Sequence, residues 1–367
     1  MLTDDDSDQS AGLRERVGEL CHRSGVLRVL QGVRAWVRRD VRILAYHRVL
    51  TLADGHEFDF DLDLVSASAE DFRAQMRLLK QRFRPMRLGD VVAAMAEGRP
   101  LPADAVVVTF DDGYDDNYRE AYPILCESGV PATFFVSTGY IDSGRPYDYD
   151  WVVHMILGAQ LERVVMPALG LDVPMPASRI ARRRLAGRVL SGIKALDGPA
   201  QTSLMTELET DWGMSRGGLH PDCRPMSWEQ LREMHAAGFE IGSHGVHHRM
   251  LAKLSQAELE FELGASKATL ERELGAPATL ISYPVGGRTA FDDRVIRAAG
   301  AAGYDAGCSY ICGTNPVATA RRYGLYRLPV ERTMGLGWFA AMLTLPEYMS
   351  YPTSNHVTDS VRDACSP

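Results

Sequence analysis

A parallel α/β protein, either a closed barrel or an open twisted sheet, is the fold class this chain predicts. Three observations carry it: short β-branched apolar runs recur along the chain, helical stretches separate them, and several runs end in polar or glycine-containing turns. A strand that returns through a helix lies parallel to the one before it. Periodicity alone does not choose between closure and an open edge.

Val41-Arg42-Ile43-Leu44-Ala45-Tyr46 reads as a buried first strand with His47 at its end. Phe72, Met76 and Leu79, then Val91, Val92 and Met95, predict two helices around an extended stretch from Arg84 to Leu88. Val106-Val107-Val108-Thr109-Phe110 is the next strand; it runs into Asp111-Asp112-Gly113 and a helix that ends near Gly129. Ala132 to Val136 follows, and then Phe239 to Gly242, Ala278 to Tyr283, Asp305 to Ser309 and Tyr326 to Leu328, with helices expected at 227–237, 255–274 and 292–302.

Upstream, Leu13, Val17, Leu20, Leu27, Leu30 and Val37 recur at helical spacing among Arg14, Arg16, Arg23, Arg28, Arg34, Arg38 and Arg39. One or two basic amphipathic helices follow, which either pack on the core or a partner subunit or lie on an anionic membrane. Between about Ser143 and Pro225 the alternation lapses into Arg, Pro and Gly, with a basic cluster at Arg179, Arg182, Arg183, Arg184 and Arg188. This is an inserted subdomain that either shapes a pocket as a lid or is a structural excursion. The division expected is 1–40 acidic tail and basic helices, 41–345 core with insertion about 143–225, and 346–367 C-terminal tail.

With 46% hydrophobic and 24% charged residues, the 367-residue chain can bury a large core and is a soluble globular type. Its formal charge of −8 gives no electrostatic footprint for nucleic acid. The six cysteines are scattered, without zinc-finger spacing, and read as reduced thiols. Met1-Leu2-Thr3-Asp4-Asp5-Asp6 is unlike a signal peptide, and no apolar run approaches spanning length. A cytoplasmic protein is expected, peripheral at the inner membrane face if the basic helices bind lipid.

Thr109-Phe110-Asp111-Asp112-Gly113-Tyr114 puts two carboxylates at the C-terminal end of an apolar strand, where parallel α/β folds bind ligands. Gly113 allows a turn that brings both to one site, one to hold a metal and one to act as base; a capped helix start is the plainer alternative. Gly242-Ser243-His244-Gly245-Val246-His247-His248 again follows a strand. His244 and His248, four apart, share a face on a helical turn and can bind one ion. Asp112, His244 and His248 make a three-ligand set that leaves room for water. Ile281-Ser282-Tyr283-Pro284-Val285-Gly286-Gly287 is a strand-ending turn that either exposes N–H groups to an oxyanion or simply turns.

Together these segments resemble the polysaccharide deacetylase (NodB-like) family. Thr109 to Tyr114 matches its TFDDGY motif, Ser243 to His248 resembles SHTxxH, Tyr283 to Gly286 resembles a YPxG variant, and Ala45-Tyr46-His47-Arg48-Val49 looks like the opening YHxV of one branch. The resemblance implies a distorted (β/α)7 barrel. It also implies Asp111 as general base, Asp112, His244 and His248 as ligands of a divalent metal (zinc first, with cobalt, nickel and manganese as the others), and the turn Tyr283, Pro284, Val285, Gly286 as oxyanion and substrate site.

Two departures stand out. Ser282 replaces the arginine that opens the third motif in many members, and the leucine–histidine motif that supplies the general acid is absent around Leu325 to Glu331. In the YH branch the first strand supplies that acid, which makes His47 the candidate. The implied substrate is an N-acetylated sugar, nucleotide-linked, lipid-linked or a small glycoside. Hydrolysis of a non-sugar amide or cyclic imide, or a catalytically silent carbohydrate-binding protein, are the alternatives.

Overall fold

Strands that are apolar at every position, not every second one, need cover on both faces. In the computed structural model, which describes residues 4–216 and 220–353, that cover is an inner core and an outer ring of helices. The strands are β1 (Asp40–Tyr46), β2 (Ala105–Phe110), β3 (Ala132–Val136), β4 (Glu240–Ser243), β5 (Leu280–Ser282), β6 (Ala306–Cys312) and β7 (Leu325–Pro329). Each pairs in parallel with the next, and β7 pairs back onto β1 through Leu328 and Leu44, so the seven-stranded sheet closes. This decides for the barrel over the open sheet. Closure is uneven: β4 and β5 share one register pair, Ser243 with Ile281, and the β6–β7 register shifts between Cys308 and Cys312.

The helices are α1 (Asp4–Arg23), α2 (Val26–Val37), α3 (Ala69–Arg82), α4 (Leu88–Ala96), α5 (Tyr122–Ser128), α6 (Asp148–Gly158), α7 (Arg179–Ala195), α8 (Gly198–Asp211), α9 (Trp228–Ala236), α10 (Gln256–Leu274), α11 (Asp293–Ala301) and α12 (Leu336–Thr344). The three expected between residues 227 and 302 start at capping side chains: Ser227 and Ser255 in reciprocal capping boxes, and Asp292 accepting from Val295 N–H. The start of the chain is no open tail, since Asp4 already opens α1. Gly18 lets α1 approach α12 closely; a Cβ there would sit 2.6 Å from the Trp338 Cα. Residues 346–353 also pack inward, with Trp338 Nε1 donating to Met349 O at 2.7 Å and Glu347 pairing with buried Arg34 at 2.8 Å. The rest of the expected C-terminal tail, with Cys365, lies outside the described residues, within which five cysteines are free thiols.

Residues 148–211 fold as α6, an antiparallel hairpin (Arg163–Met166 with Leu171–Pro174), α7 and α8. They have their own apolar core, in which Trp151, Ile156, Leu185, Val189 and Leu208 meet Phe58 and Phe60 from the loop after β1. Three arginines of the basic cluster work within the chain. Arg179 and Arg183 donate to main-chain oxygens of residues 55–60, and Arg182 to those of Ile156, Leu157 and Ala159. Arg179 and Arg183 thus fasten the insertion to the barrel loop, and Arg182 ties α7 to α6 within it.

A second fastening is buried. Arg48, just past β1, pairs with Asp116 at 2.8 Å and lies 3.5 Å from Asp150 of α6, while its guanidinium covers the Tyr114 ring at 4.3 Å. Asp150 also accepts from Asp61 N–H at 2.6 Å, Cys223 Sγ at 3.0 Å and Tyr114 Oη at 3.2 Å. Removing one partner of such a group strands the others without water. Arg48→Ala is therefore expected to cost roughly 3–5 kcal/mol of unfolding free energy, read as a lower urea midpoint; an unchanged midpoint would show that the network carries no stability.

Candidate active site

The C-terminal ends of the barrel strands gather the candidate residues. Asp111 follows β2 and donates its N–H to Tyr46 O at 2.9 Å, so the end of β1 holds it in place. Its carboxylate is buried and gripped by both arms of Arg327 from β7, Nη1 to Oδ1 at 2.8 Å and Nη2 to Oδ2 at 2.6 Å. Ser282 Oγ, at the end of β5, donates to Oδ2 at 3.2 Å and accepts from Arg327 Nη2 at 2.9 Å. Arg327 is oriented in turn by Ser309 O and Thr109 Oγ1. Burial pushes the Asp111 carboxyl up, but the Arg327 guanidinium and then His244 outweigh it and hold the group below its ordinary value.

Arg327 thus stands on Asp111 although the third motif lacks its arginine. Ser282 is small enough to admit it from the neighbouring wall of the barrel. The sequence carried a signal in Tyr326-Arg327-Leu328, an arginine inside a strand, and fully buried arginines are rare unless paired.

Asp112 turns the other way. Its φ of 75° is left-handed, a costly conformation for a residue with a Cβ, and it separates its side chain from that of Asp111. Its carbonyl accepts from Ser137 N–H at 3.1 Å and from Tyr147 Oη, in the insertion, at 2.7 Å. Gly113, at φ 95°, completes the turn. His244 and His248 do not share a helical turn. They lie on an irregular loop after β4, bent at Gly245 (φ 75°) and at His248 itself (φ 55°), and the loop brings their rings to 4.9 Å. Glu262 on α10 shapes this loop, accepting from Val246 N–H at 2.6 Å, His247 N–H at 3.0 Å and His247 Nδ1 at 2.7 Å. The sequence reading missed Glu262, whose only signal is a carboxylate on the buried face of α10 beside Leu259, Leu263 and Ser266.

Asp112 Oδ1 faces His248 Nε2 at 3.0 Å and His244 Nε2 at 3.4 Å. His244 Nδ1 lies 2.7 Å from Ser282 O, a carbonyl that can only accept, so the proton of a neutral ring belongs on Nδ1 and Nε2 presents a lone pair. Lone pairs of the Asp112 carboxylate and the His244 imidazole then converge beside His248 Nε2, and Asp112 Oδ1 is buried without a hydrogen-bond partner. Such an arrangement is satisfied by a cation. The ligand atoms lie within 4.8 Å of one another and the donor set, two nitrogens and an oxygen, suits a divalent metal, so the residues fit the ion the resemblance implies. Burial raises the Asp112 carboxyl, yet His248 and His244 hold it well below its ordinary value; burial lowers His244, yet Asp111 and Asp112 bring it above.

His47 ends β1 beside this cluster, with its N–H on Ser66 Oγ at 3.0 Å, its carbonyl taking Asn117 Nδ2 at 2.8 Å, and its ring 5.3 Å from Tyr310. Burial sets its imidazole below the ordinary value despite Asp112 and Asp111. Of the expected oxyanion turn, Val285 has φ 64° and Gly286 φ 59°, and Gly286 O accepts from Tyr310 N–H at 2.8 Å. Pro284 is buried next to the histidine loop, 3.8 Å from where a Cβ on Gly245 would stand. Tyr283 does not join the site through its side chain: the ring stacks on Phe291 at 4.7 Å and the hydroxyl donates to Tyr323 O at 3.0 Å. Beyond His248 a water-sized cavity is lined by Tyr140, Tyr147, Tyr149, Gln201 and Arg249, where the buried Tyr149 hydroxyl has no hydrogen-bond partner.

A family model described as "Polysaccharide deacetylase" matches residues 98–307. YxkH of Bacillus subtilis, a protein named as a putative polysaccharide deacetylase, is 22% identical over 80% of this chain and 73% of its own length. The poly-beta-1,6-N-acetyl-D-glucosamine N-deacetylase of Escherichia coli is 28% identical over 29% of this chain, a stretch that is 15% of that relative. Among solved structures, the Streptococcus pyogenes deacetylase PplD, in complex with acetate, superposes with a TM-score of 0.55 at 18% identity, covering 85% of this chain and 99% of that one. The family match leaves out β1 with His47 and β7 with Arg327, both part of the closed barrel.

The shifted carboxyls and imidazole set how the metal-free protein responds to pH. Asp111 and Asp112 are lowered, so they stabilise the fold above the ordinary carboxylate value and that stability is lost as pH falls through their folded values. His244 is raised, so its contribution is full below the ordinary imidazole value and is lost as pH rises through the folded one. The chelated protein should therefore melt highest between about pH 4 and 6.5, with His244→Gln flattening the alkaline fall. Calorimetry across this range checks it, and a flat profile would contradict it.

Proposed function

This chain belongs to the polysaccharide deacetylase family, and from that premise we propose that it is a metal-dependent hydrolase removing an N-acetyl or related acyl group from a sugar. The observation that carries the reading is the pairing of two buried carboxylates with different partners. Asp112 converges with two imidazole nitrogens while Asp111, next in sequence, is fixed by Arg327.

Asp112, His244 and His248 would hold the divalent ion, with zinc first by donor type. Bound there, it would acidify a water and polarise the acyl carbonyl. Asp111 is the base. Arg327 and Ser282 occupy both lone-pair positions of Oδ2 but only one of Oδ1, which leaves one acceptor position to take a proton from the attacking water. A carboxyl held this low is a weak base toward ordinary water, which is itself a chemical reason for expecting the ion. Arg327 keeps the base ionised and aimed.

The Val285 N–H makes no backbone hydrogen bond among the described residues and is the donor assigned to the developing oxyanion. His47 is the acid assigned to the leaving nitrogen. Because burial favours its neutral form, it acquires its proton during the reaction rather than holding one beforehand. The C–N bond breaks, a C–O bond to water oxygen forms, and an amino sugar and acetate leave.

An N-acetylated glycan is supported by the relative named for poly-beta-1,6-N-acetyl-D-glucosamine.

Acetate release from free, nucleotide-linked and lipid-linked N-acetyl sugars, with a simple amide and a cyclic imide as controls, is the deciding assay. Asp111→Asn should keep the metal and lose about 10²–10⁴-fold in kcat, whereas His244→Ala should lose both. Full activity in Asp111→Asn would remove the base assignment, and release from the imide alone would remove the sugar. Arg327→Met should move the acid limb of the kcat/KM profile to higher pH, because Asp111 loses the cation that holds its carboxyl down; an unmoved limb would mean that Arg327 does not set it.

A further inference from the structure

Two helices lie outside everything used so far. On α1, Leu13, Val17 and Leu20 are exposed at helical spacing, and on α2 Val29, Val33 and Trp36 repeat the pattern, with Trp36 89% exposed. Large apolar side chains exposed elsewhere on the described residues, such as Val165 and Phe261, do not form such a stripe. The opposite faces are already occupied, by the Gly18 contact with α12 and by buried Leu27 and Arg34. A helix apolar on both sides has a second surface to cover.

The charge around the stripe says what covers it. Residues 13–39, which carry the stripe, hold seven arginines and two glutamates in a chain whose net charge is −8, and the four aspartates of α1, Asp4, Asp5, Asp6 and Asp8, fall in its first turns before the stripe begins. Glu15 faces inward to the Gly335 N–H at 3.0 Å, and Glu19 pairs along the helix surface with exposed Arg23 at 2.6 Å, offsetting one of the seven. Arg16, Arg28, Arg38 and Arg39 are exposed. Beside the stripe, a depression between the α1–α2 turn and α3 is lined by Arg23, Arg28, Arg77 and Arg82 and by no carboxylate. A second copy docking here through a two-fold axis would set this cationic patch against itself.

We propose that α1 and α2 seat the protein on an anionic lipid surface, with the apolar stripe at the acyl boundary, Trp36 at its edge and the arginines on headgroup phosphates. No helix of the described residues is long and apolar enough to cross a membrane, so the contact lies in the plane of the interface. Trp36 precedes β1, whose far end carries His47, so docking leaves the catalytic cleft clear.

Flotation of the full chain with vesicles tests this. It should float with phosphatidylcholine–phosphatidylglycerol vesicles, far less with phosphatidylcholine alone, and less as salt rises. Trp36→Ser with Val33→Asp should cut the bound fraction at least about tenfold, and Arg28→Glu should weaken binding to the anionic vesicles. Because these side chains are exposed, the melting temperature and acetate release from a soluble substrate should stay unchanged. No flotation with anionic vesicles, equal flotation of the Trp36 variant, or a dimer that the same substitutions dissolve without any vesicle binding would each overturn the proposal.

Discussion

Two carboxylates next to one another in sequence are buried in the mouth of this barrel, and neither can stay ionised there without a counter-charge of its own. The fold supplies two different ones. A guanidinium reaches Asp111 from β7, 216 residues away, and two imidazoles reach Asp112 from the loop after β4. The guanidinium does not arrive unless the sheet closes, because β7 has to pair with β1 before Arg327 stands beside Asp111, whereas the imidazoles follow β4, which reaches β2 through β3. Barrel closure and the fixing of Asp111 are one structural event.

Keeping neighbouring carboxylates apart also strains the backbone. Asp112, His248 and Val285, three of the four non-glycine residues with positive φ among the described residues, all lie at the site. Each such residue costs on the order of 1–2 kcal/mol, and a β-branched valine stands at the high end. The surroundings hold them: Ser137 and Tyr147 on the Asp112 carbonyl, Glu262 under the histidine loop, and Tyr310 on Gly286. Side chains outside the Asp112, His244 and His248 group therefore fix where that group points.

Much of the architecture was legible in the sequence. Continuous apolar runs such as Val106 to Phe110 report burial on both faces, and capping side chains such as Ser227 and Ser255 mark helix starts. The possible metal-binding group Asp112, His244 and His248 was legible because it sits in two short segments at strand ends. Its geometry was not: a spacing of four suggested a helical turn, whereas a loop bent at Gly245 does the work. Arg327, Glu262 and Tyr147 escaped because their meaning lies in contacts 216, 15 and 35 residues distant. The use of Arg179, Arg182 and Arg183 was not legible either, since a basic cluster does not announce that its donors rest on main-chain carbonyls of the same chain.

The hydroxyl of Tyr147 on the carbonyl of Asp112 changes how residues 143–225 are to be regarded. Lids are commonly treated as interchangeable cassettes, swapped between scaffolds to alter what an enzyme accepts. Here the insertion carries one of the hydrogen bonds that keep Asp112 in its left-handed turn. A transplant that brought a new cleft without an equivalent hydroxyl would loosen the centre it was meant to redirect, so grafting at this position is constrained at one atom before any question of specificity arises.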